Sequence, residues 1–381
     1  MSSDQPLLGR GLRRGVVRLA AGFIALISTA LIAQLLLTRG EEPRRAQLSS
    51  RSASGGLGVS LGLFASDPLW DYEELIQEIA ELGVSRVMIV TPLIQGSHRD
   101  DAPQLGPPLE VIRRSVQQAR AEGLEVSLMP IIQLKRRSMN MWRGRLDPRR
   151  PALWWSNYRA ELKRLASLAE QESVERLVIG AELCSLEAQT ERWRELIQGL
   201  RARFKGALTY SANWDHYREL PFWEELDELS VTAYFPIQSR EDLERDWAAA
   251  LDELERFAAT RGDAGMPLYL TEYGYPALAS ALARPWDETT SAAYDAELQA
   301  ELVTRATSLL LTRMSERGAL RGASLWNWFG FGGRRDRGYT LRDRPGQEAL
   351  RALIKAHKSA EARAPQRAPL FGTSEAAAQA E

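Results

Sequence analysis

Apolar residues recur in two alternating rhythms along most of this chain. Compact runs rich in Val, Ile, Leu and Tyr predict strands at Gly58–Ala65, Arg86–Leu93, Glu125–Ile132, Arg176–Leu183, Ala207–Trp214, Glu228–Ile237, Pro267–Tyr275 and Leu320–Trp328. Between them, apolar positions step by three and four. That spacing predicts helices over Asp71–Leu82, Leu109–Glu122, Trp154–Gln171, Arg192–Phe204, Glu241–Thr260, Thr290–Arg317 and Gln347–His357. Gly83, Gly123, Gly206, Gly262 and Gly318 sit where helices should stop. Pro221–Leu226 leaves room for only a short helix between the fifth and sixth strands. Alternation on this scale matches an α/β chain folded as a (β/α)8 TIM barrel, which typically takes about 250 residues. An open doubly wound sheet is the alternative, but no glycine-rich fingerprint follows the first strand, so nucleotide binding is unsupported.

The rhythm is different at the two ends. Leu19 to Leu37 is a nearly continuous apolar run that would span roughly 28 Å as a helix, close to the hydrocarbon thickness of a bilayer. Arg10, Arg13, Arg14 and Arg18 precede it and favour a cytoplasmic N-terminus, although Arg39, Arg44 and Arg45 follow. The chain therefore divides into a cytoplasmic start (1–18), a transmembrane anchor or signal-peptide core (19–37), a linker rich in Arg, Glu, Ser and Gly (38–56), the barrel (57–358) and a tail (359–381). The tail's Ala, Pro, Gln and Ser content predicts disorder. Anchored in the membrane or secreted after cleavage, the body is expected outside the cytoplasm, in a periplasmic or extracellular setting.

Composition narrows the chemistry. A net charge of −1 gives no reason to expect nucleic acid, and no protein partner is identifiable. Cys184 is the only cysteine, which excludes an internal disulfide and a multi-cysteine metal centre. His98, His216 and His357 lack metal-ligand spacing. Chemistry without metal or cofactor is expected.

Barrel enzymes place their chemistry at the C-terminal ends of the strands. Two predicted strands end there on a carboxylate, Glu182 in Ile179-Gly-Ala-Glu-Leu183 and Glu272 in Tyr269-Leu-Thr-Glu-Tyr-Gly-Tyr275. Two such groups can meet across a bound sugar. Strand alternation then places Val178 and Gly180 inward below Glu182, Leu268 and Leu270 below Glu272, Ser230 and Thr232 below Tyr234, and Gly322 and Ser324 below Trp326. Ile179 and Ala181 would face the helices. The bland reading of either glutamate alone is a strand-end charge paired with a nearby arginine. The pair together, with aromatic strand ends beside it, points to catalysis.

Several segments carry a more specific signal: Leu208-Thr-Tyr-Ser-Ala-Asn-Trp-Asp215, Phe222-Trp223, Thr232-Ala-Tyr-Phe-Pro236, Leu270-Thr-Glu-Tyr-Gly-Tyr-Pro276 and Leu325-Trp-Asn-Trp328. With Trp142-Arg143-Gly144 and Arg284-Pro285-Trp286, this ordered set resembles glycoside hydrolase family 113. That family comprises retaining, β-mannanase-like barrels whose catalytic glutamates end strands four and seven. The resemblance implies that Glu182 is the general acid/base and Glu272 the nucleophile, their carboxyls about 5–5.5 Å apart. It further implies an oligosaccharide or polysaccharide substrate, with a mannan or related hexose polymer foremost. The alternative is a carbohydrate-binding or remodelling barrel accessory to surface polysaccharide.

Tyr234 is expected either to hydrogen-bond the nucleophile or to pack as a strand aromatic. Trp326 is the leading sugar platform, with Asn213, Asn327 and Arg143 as candidates for the hydroxyls. Trp142, Trp214, Trp286 and Trp328, at strand ends or in loops, are further candidates for glycan contact, whereas Trp154, Trp155, Trp193 and Trp247 read as packing. Glu187 reads as a loop ion pair before a substrate ligand, and Cys184 as a structural thiol. Ala181 stands where many members of the wider clan carry asparagine, so recognition of the sugar 2-hydroxyl is expected from elsewhere; Met129–Lys135 lacks the polar, histidine-bearing character of the family at that position, which bears on the preference for mannan.

Overall fold

A computed structural model describes residues 56–136, 141–262 and 265–363. Eight parallel strands follow one another around a ring: β1 (Gly56–Gly62), β2 (Arg86–Gln95), β3 (Glu125–Leu134), β4 (Arg176–Ala181), β5 (Ala207–Asn213), β6 (Glu228–Thr232), β7 (Leu268–Tyr273) and β8 (Leu320–Leu325). β1 closes the ring, pairing Val59 with Val87 of β2 on one side and with Leu325 of β8 on the other. Closure leaves no ring edge without a partner. A two-residue strand, Gln104–Leu105, adds antiparallel to the end of β2.

Helices α1 (Glu73–Glu81), α2 (Leu109–Ala121), α3 (Pro151–Gln171), α4 (Thr190–Arg201), α5 (Leu243–Ala259), α6 (Ala296–Ser315) and α7 (Pro345–Arg363) accompany the ring. Between β5 and β6 there are only two short 3-10 turns, Tyr217–Glu219 and Trp223–Glu225, as the proline-interrupted sequence predicts. This is the expected (β/α)8 barrel.

Boundaries differ where local chemistry intervenes. β6 stops at Thr232, short of Ile237; Ala233 N still donates to Glu272 O, and Pro236 further on has no N–H with which to continue the ladder. α6 begins at Ala296, not Thr290, where the Asp295 side chain accepts from Leu298 N at 2.9 Å and caps the first turn. α7 runs to Arg363, so the tail predicted to be disordered from Ser359 starts as helix; Ala360, Glu361, Ala362 and Arg363 are strong helix formers. The expected cytoplasmic start, the 19–37 span, nearly all of the linker and residues 364–381 lie outside the described residues. Among the described residues, no helix is long and apolar enough to cross a membrane.

Two apolar layers form the core. The outer one packs helices against strand faces, and Trp154, Trp155, Trp193 and Trp247 are all buried in it. The inner one fills the ring with Met88, Val90, Met129, Ile131, Val178, Ala181 and Tyr269, capped by the half-buried Phe64 and Trp326. Strand alternation holds on β6 and β8: Ser230 bonds Thr209 across the interior, Ser324 bonds Tyr269, and a Cβ at Gly322 would lie 2.4 Å from the Tyr269 ring. On β4 it holds for Val178 and Ile179 and fails beyond them, and it fails on β7. A register irregularity between Val178 and Ala181 turns Ala181 inward, while a Cβ at Gly180 would meet Tyr158, Tyr210 and Trp193 of the outer layer. On β7, Leu268 and Leu270 join the outer layer and Tyr269 takes the interior place. A bulge adds one residue and flips every position beyond it, which period-two counting does not register.

Candidate active site

Both glutamates lie at the C-terminal mouth of the ring. Glu182 follows β4 directly, with a left-handed backbone at φ 51°. For a residue with a Cβ that conformation costs about 1–2 kcal/mol and persists only where neighbours enforce it. Its N–H donates to Ser211 O at 2.9 Å, continuing the β4–β5 ladder one step past the strand. Both carboxylate oxygens are engaged. Oε1 accepts from Thr232 Oγ1 at 2.8 Å, and Oε2 meets Arg143 Nη2 at 2.7 Å. Arg143 comes from a single 3-10 turn, Arg143–Arg145, beyond β3. The Trp142 ring folds over Gly144, where a Cβ would lie 2.4 Å from it.

Glu272 belongs to β7 itself and is 1% exposed. Its Oε2 accepts from Tyr234 Oη at 2.8 Å, while its buried Oε1 has no hydrogen-bond partner. Arg143 Nε is likewise buried without a partner. Unsatisfied buried polar atoms are uncommon, and two in one mouth mark the place where a polar ligand would complete the bonding. Burial, and then the Glu182 charge, push the Glu272 carboxyl up to about 7; Arg143 and the Tyr234 hydrogen bond oppose that rise. Burial works against the Arg143 charge, but Glu182 and Glu272 outweigh it and hold the guanidinium above its ordinary value. Tyr234 is pushed well up by burial and by Glu272.

Aromatic side chains flank this pair. On the β1–β8 side, Trp326 lies 6.5 Å from Phe64, which meets Phe329 edge-on at 5.5 Å. On the β5–β6 side, Trp214 stacks on Trp286 at 6.0 Å and 27°, with Phe235 edge-on at 6.4 Å from Trp214. Trp286 is 48% exposed. Asn213 ends β5 opposite Thr232.

Asn327 turns its Oδ1 back to accept from Phe329 N at 3.1 Å. Two candidates take other roles. Trp328 is fully buried and donates to Glu78 Oε2 at 2.7 Å, which removes it from any contact with glycan. Glu187 is buried against Tyr210 Oη at 2.7 Å, in place of the expected loop ion pair. Burial pushes the Cys184 thiol up, consistent with a structural role. Among the described residues, no group of three or more His, Cys, Asp or Glu side chains is arranged to hold a metal ion.

Two participants escape a reading from sequence. Thr232 is legible as inward-facing, but not as a donor to Glu182. Tyr339 sits in the long β8–α7 loop, where no periodicity marks it; its ring lies 5.9 Å from that of Tyr234, and its hydroxyl donates to Pro285 O at 2.9 Å.

Comparison with known proteins gives this geometry a context. A model of Glycoside Hydrolase Family 113 matches residues 103–335. A solved GH113 β-1,4-mannanase is similar with a TM-score of 0.69 at 19% identity, covering 80% of this chain and 99% of that one. The GH113 β-mannanase AaManA from Alicyclobacillus acidocaldarius, in complex with ManMIm, has a TM-score of 0.65 at 22% identity, covering 80% and 98%. An endo-β-1,4-mannanase from Thermotoga petrophila is more distant, with a TM-score of 0.53 at 13% identity over 81% and 78%. At such identities the solved structures show the fold alone. No curated protein matches the chain. The family match extends over more than half of the sequence and takes in both strand-end glutamates, so the chain belongs to glycoside hydrolase family 113 and is a glycoside hydrolase.

Proposed function

We propose that this enzyme cleaves β-linked mannan-type chains with retention of configuration, using Glu272 as nucleophile and Glu182 as acid/base. The observation that carries this reading is the pair of buried carboxyls ending β4 and β7, close enough for one charge to lift the other's proton affinity and bridged electrostatically by Arg143. Glu272 Oε1, free of any donor, supplies the electron pair that attacks the anomeric carbon, while Tyr234 holds the other oxygen still. When the sugar draws Arg143 off Glu182, the proton held by the buried pair passes from Glu272 to Glu182, leaving Glu272 as the carboxylate; the glycosidic C–O bond then breaks as its oxygen takes that proton. Water then attacks the same carbon, gives its proton to Glu182, and releases the Glu272 carboxylate. Arg143 stands on Glu182 Oε2, so the sugar must draw the guanidinium onto a hydroxyl before that oxygen reaches the glycosidic bond.

Trp326 offers the platform for the sugar at the point of cleavage, with Asn213, Trp142 and Arg143 at its rim. The Trp214–Trp286 pair suits a further residue of a longer chain. Mannan is favoured because the similar GH113 structures are mannanases. The test is proton NMR of β-1,4-mannohexaose digested by the full-length protein. A β-anomer as first product is expected. An α-anomer would refute retention, and failure to cleave any β-linked glycan would end the reading. If β-glucan were cleaved and mannan spared, the substrate assignment alone would fall.

The apolar run at 19–37 supports a second element of the proposal, a barrel held at the outer face of the membrane. Full-length protein should stay with carbonate-washed membranes and be accessible to protease added outside the inner membrane. Recovery in the cytosol would contradict this.

A further inference from the structure

We propose that Tyr210 and Glu187 are positioning residues that hold the peptide after Glu182 and so fix its carboxyl for proton transfer; this rests on reading Glu182 as the acid/base.

Tyr210 stands on β5 in the outer layer, fully buried and away from the mouth. Its hydroxyl accepts from Leu183 N at 2.7 Å and donates to Glu187 Oε1 at 2.7 Å. The order of donors is forced. A phenol has one proton, the Leu183 N–H can only donate, and so the phenol proton goes to the carboxylate. A hydroxyl polarised by a carboxylate is a stronger acceptor for the N–H behind it.

That N–H belongs to the residue next to Glu182, whose φ of 51° places it in the left-handed region. The peptide joining Glu182 to Leu183 is thus gripped at the point where relaxation toward an ordinary strand would swing the carboxyl off Thr232. Glu187 reaches back to Tyr210 because the chain makes one helical turn, Cys184–Glu187, immediately after the strand. Burial pushes the Glu187 carboxyl up and the Tyr210 hydrogen bond draws it down.

The seat of Tyr210 is equally specific. A Cβ at Gly180 would lie 3.1 Å from its ring, and Trp193 and Phe222 meet that ring edge-on at 5.2 and 5.5 Å. The neighbouring Tyr158 donates to Ile179 O at 2.7 Å. Tyr158 is therefore a second buried phenol bonded to backbone of this segment, within β4 itself, but its bond is to Ile179 and not to the Glu182–Leu183 peptide.

This contrast supplies the experiment. Full-length Tyr210→Phe and Tyr158→Phe are compared with the parent and with Glu182→Ala, on aryl β-glycosides of the cleaved sugar with graded leaving groups. A displaced acid slows departure of poor leaving groups and spares those that leave without a proton. Tyr210→Phe is expected to lose about 30-fold or more in kcat/KM on a phenyl glycoside and under about threefold on a dinitrophenyl glycoside. Azide should restore part of its turnover on the dinitrophenyl substrate. Tyr158→Phe should lose thermal stability without that selectivity. Glu187→Ala, which leaves the phenol in place, should reproduce the selectivity at about tenfold and covers the case in which Tyr210→Phe does not fold.

An equal loss on all leaving groups in both the Tyr210 and Glu187 variants, beside a selective loss in Glu182→Ala, would overturn the positioning role alone. Absence of leaving-group dependence in Glu182→Ala would instead remove the acid/base reading on which it rests.

Discussion

Replacing Glu272 by glutamine is expected to abolish turnover and, at neutral pH and above, to make the protein more stable. The first effect follows from chemistry. The amide is close to isosteric and keeps an acceptor for Tyr234, but it cannot form the glycosyl ester, so the loss should be on the order of 10⁴-fold or more. The second follows from the surroundings. Glu272 is buried beside Glu182, and its carboxyl is raised from 4.5 to about 7. A raised folded-state pKa means that the native protein holds this proton more tightly than the unfolded chain does. The stability it contributes is therefore complete below pH 4.5 and is lost as pH rises through about 7.

At pH 8 the ionised group costs the native state up to about 3 kcal/mol, at about 1.4 kcal/mol for each unit of pKa. The glutamine variant carries no such charge. Calorimetric melting at two pH values checks the sign: the variant should melt several degrees above the parent at pH 8 and level with it at pH 4. A variant that melts lower at pH 8 would show that Arg143 and Tyr234 fully compensate the buried charge. If Glu272 is the nucleophile as proposed, a carboxyl that destabilises its own fold is a case of strain kept at a functional site.

The parts of this molecule that were legible in its sequence are those where one residue's neighbours along the chain decide its place. Each barrel strand is a short apolar run ended by a glycine, a proline or charge, so all eight could be read. Glu182 and Glu272 were legible because a carboxylate closing such a run has only the mouth to enter. What could not be read depends on groups brought together from different strands. Ala181 faces inward because β4 carries a register irregularity that only its pairing with β5 reveals. Arg143 is legible as a candidate for the sugar hydroxyls, but not as the partner of Glu182 on which the turn after β3 sets it. Glu187 carried the right chemistry for sugar contact, yet Tyr210 takes up its Oε1 first, and local backbone takes the Oδ1 of Asn327. Alternation reports which face a residue takes, whereas hydrogen-bond competition decides what it does there.

Arg176→Met is expected to destabilise the barrel by about 3–5 kcal/mol while leaving the activity of the folded fraction within severalfold of the parent. Arg176 and Glu228 begin β4 and β6 at the floor of the ring, opposite the mouth, with side chains 5% and 4% exposed. The guanidinium makes a two-pronged contact, with Nη2 2.8 Å from Glu228 Oε1 and Nε on Oε2. It also donates to Ser127 Oγ at 3.1 Å and lies 4.0 Å from the centre of the Tyr269 ring. Burial works against the Arg176 charge, but Glu228 outweighs it and holds the charge firmly in place. Methionine fills much of the same volume but leaves the Glu228 carboxylate buried without the guanidinium, and that desolvation sets the size of the loss. If so, Arg176→Met combined with Glu228→Gln should recover most of it, because a buried ion pair is worth little against neutral groups of similar shape. Denaturant melts of the two single variants and the double variant close the cycle. Recovery would locate the cost in the lost pairing of Arg176 with Glu228. A double variant as unstable as the single one would assign it to the Tyr269 contact, which ties the floor to the bond between Tyr269 and Ser324 and to the strand that carries Glu272.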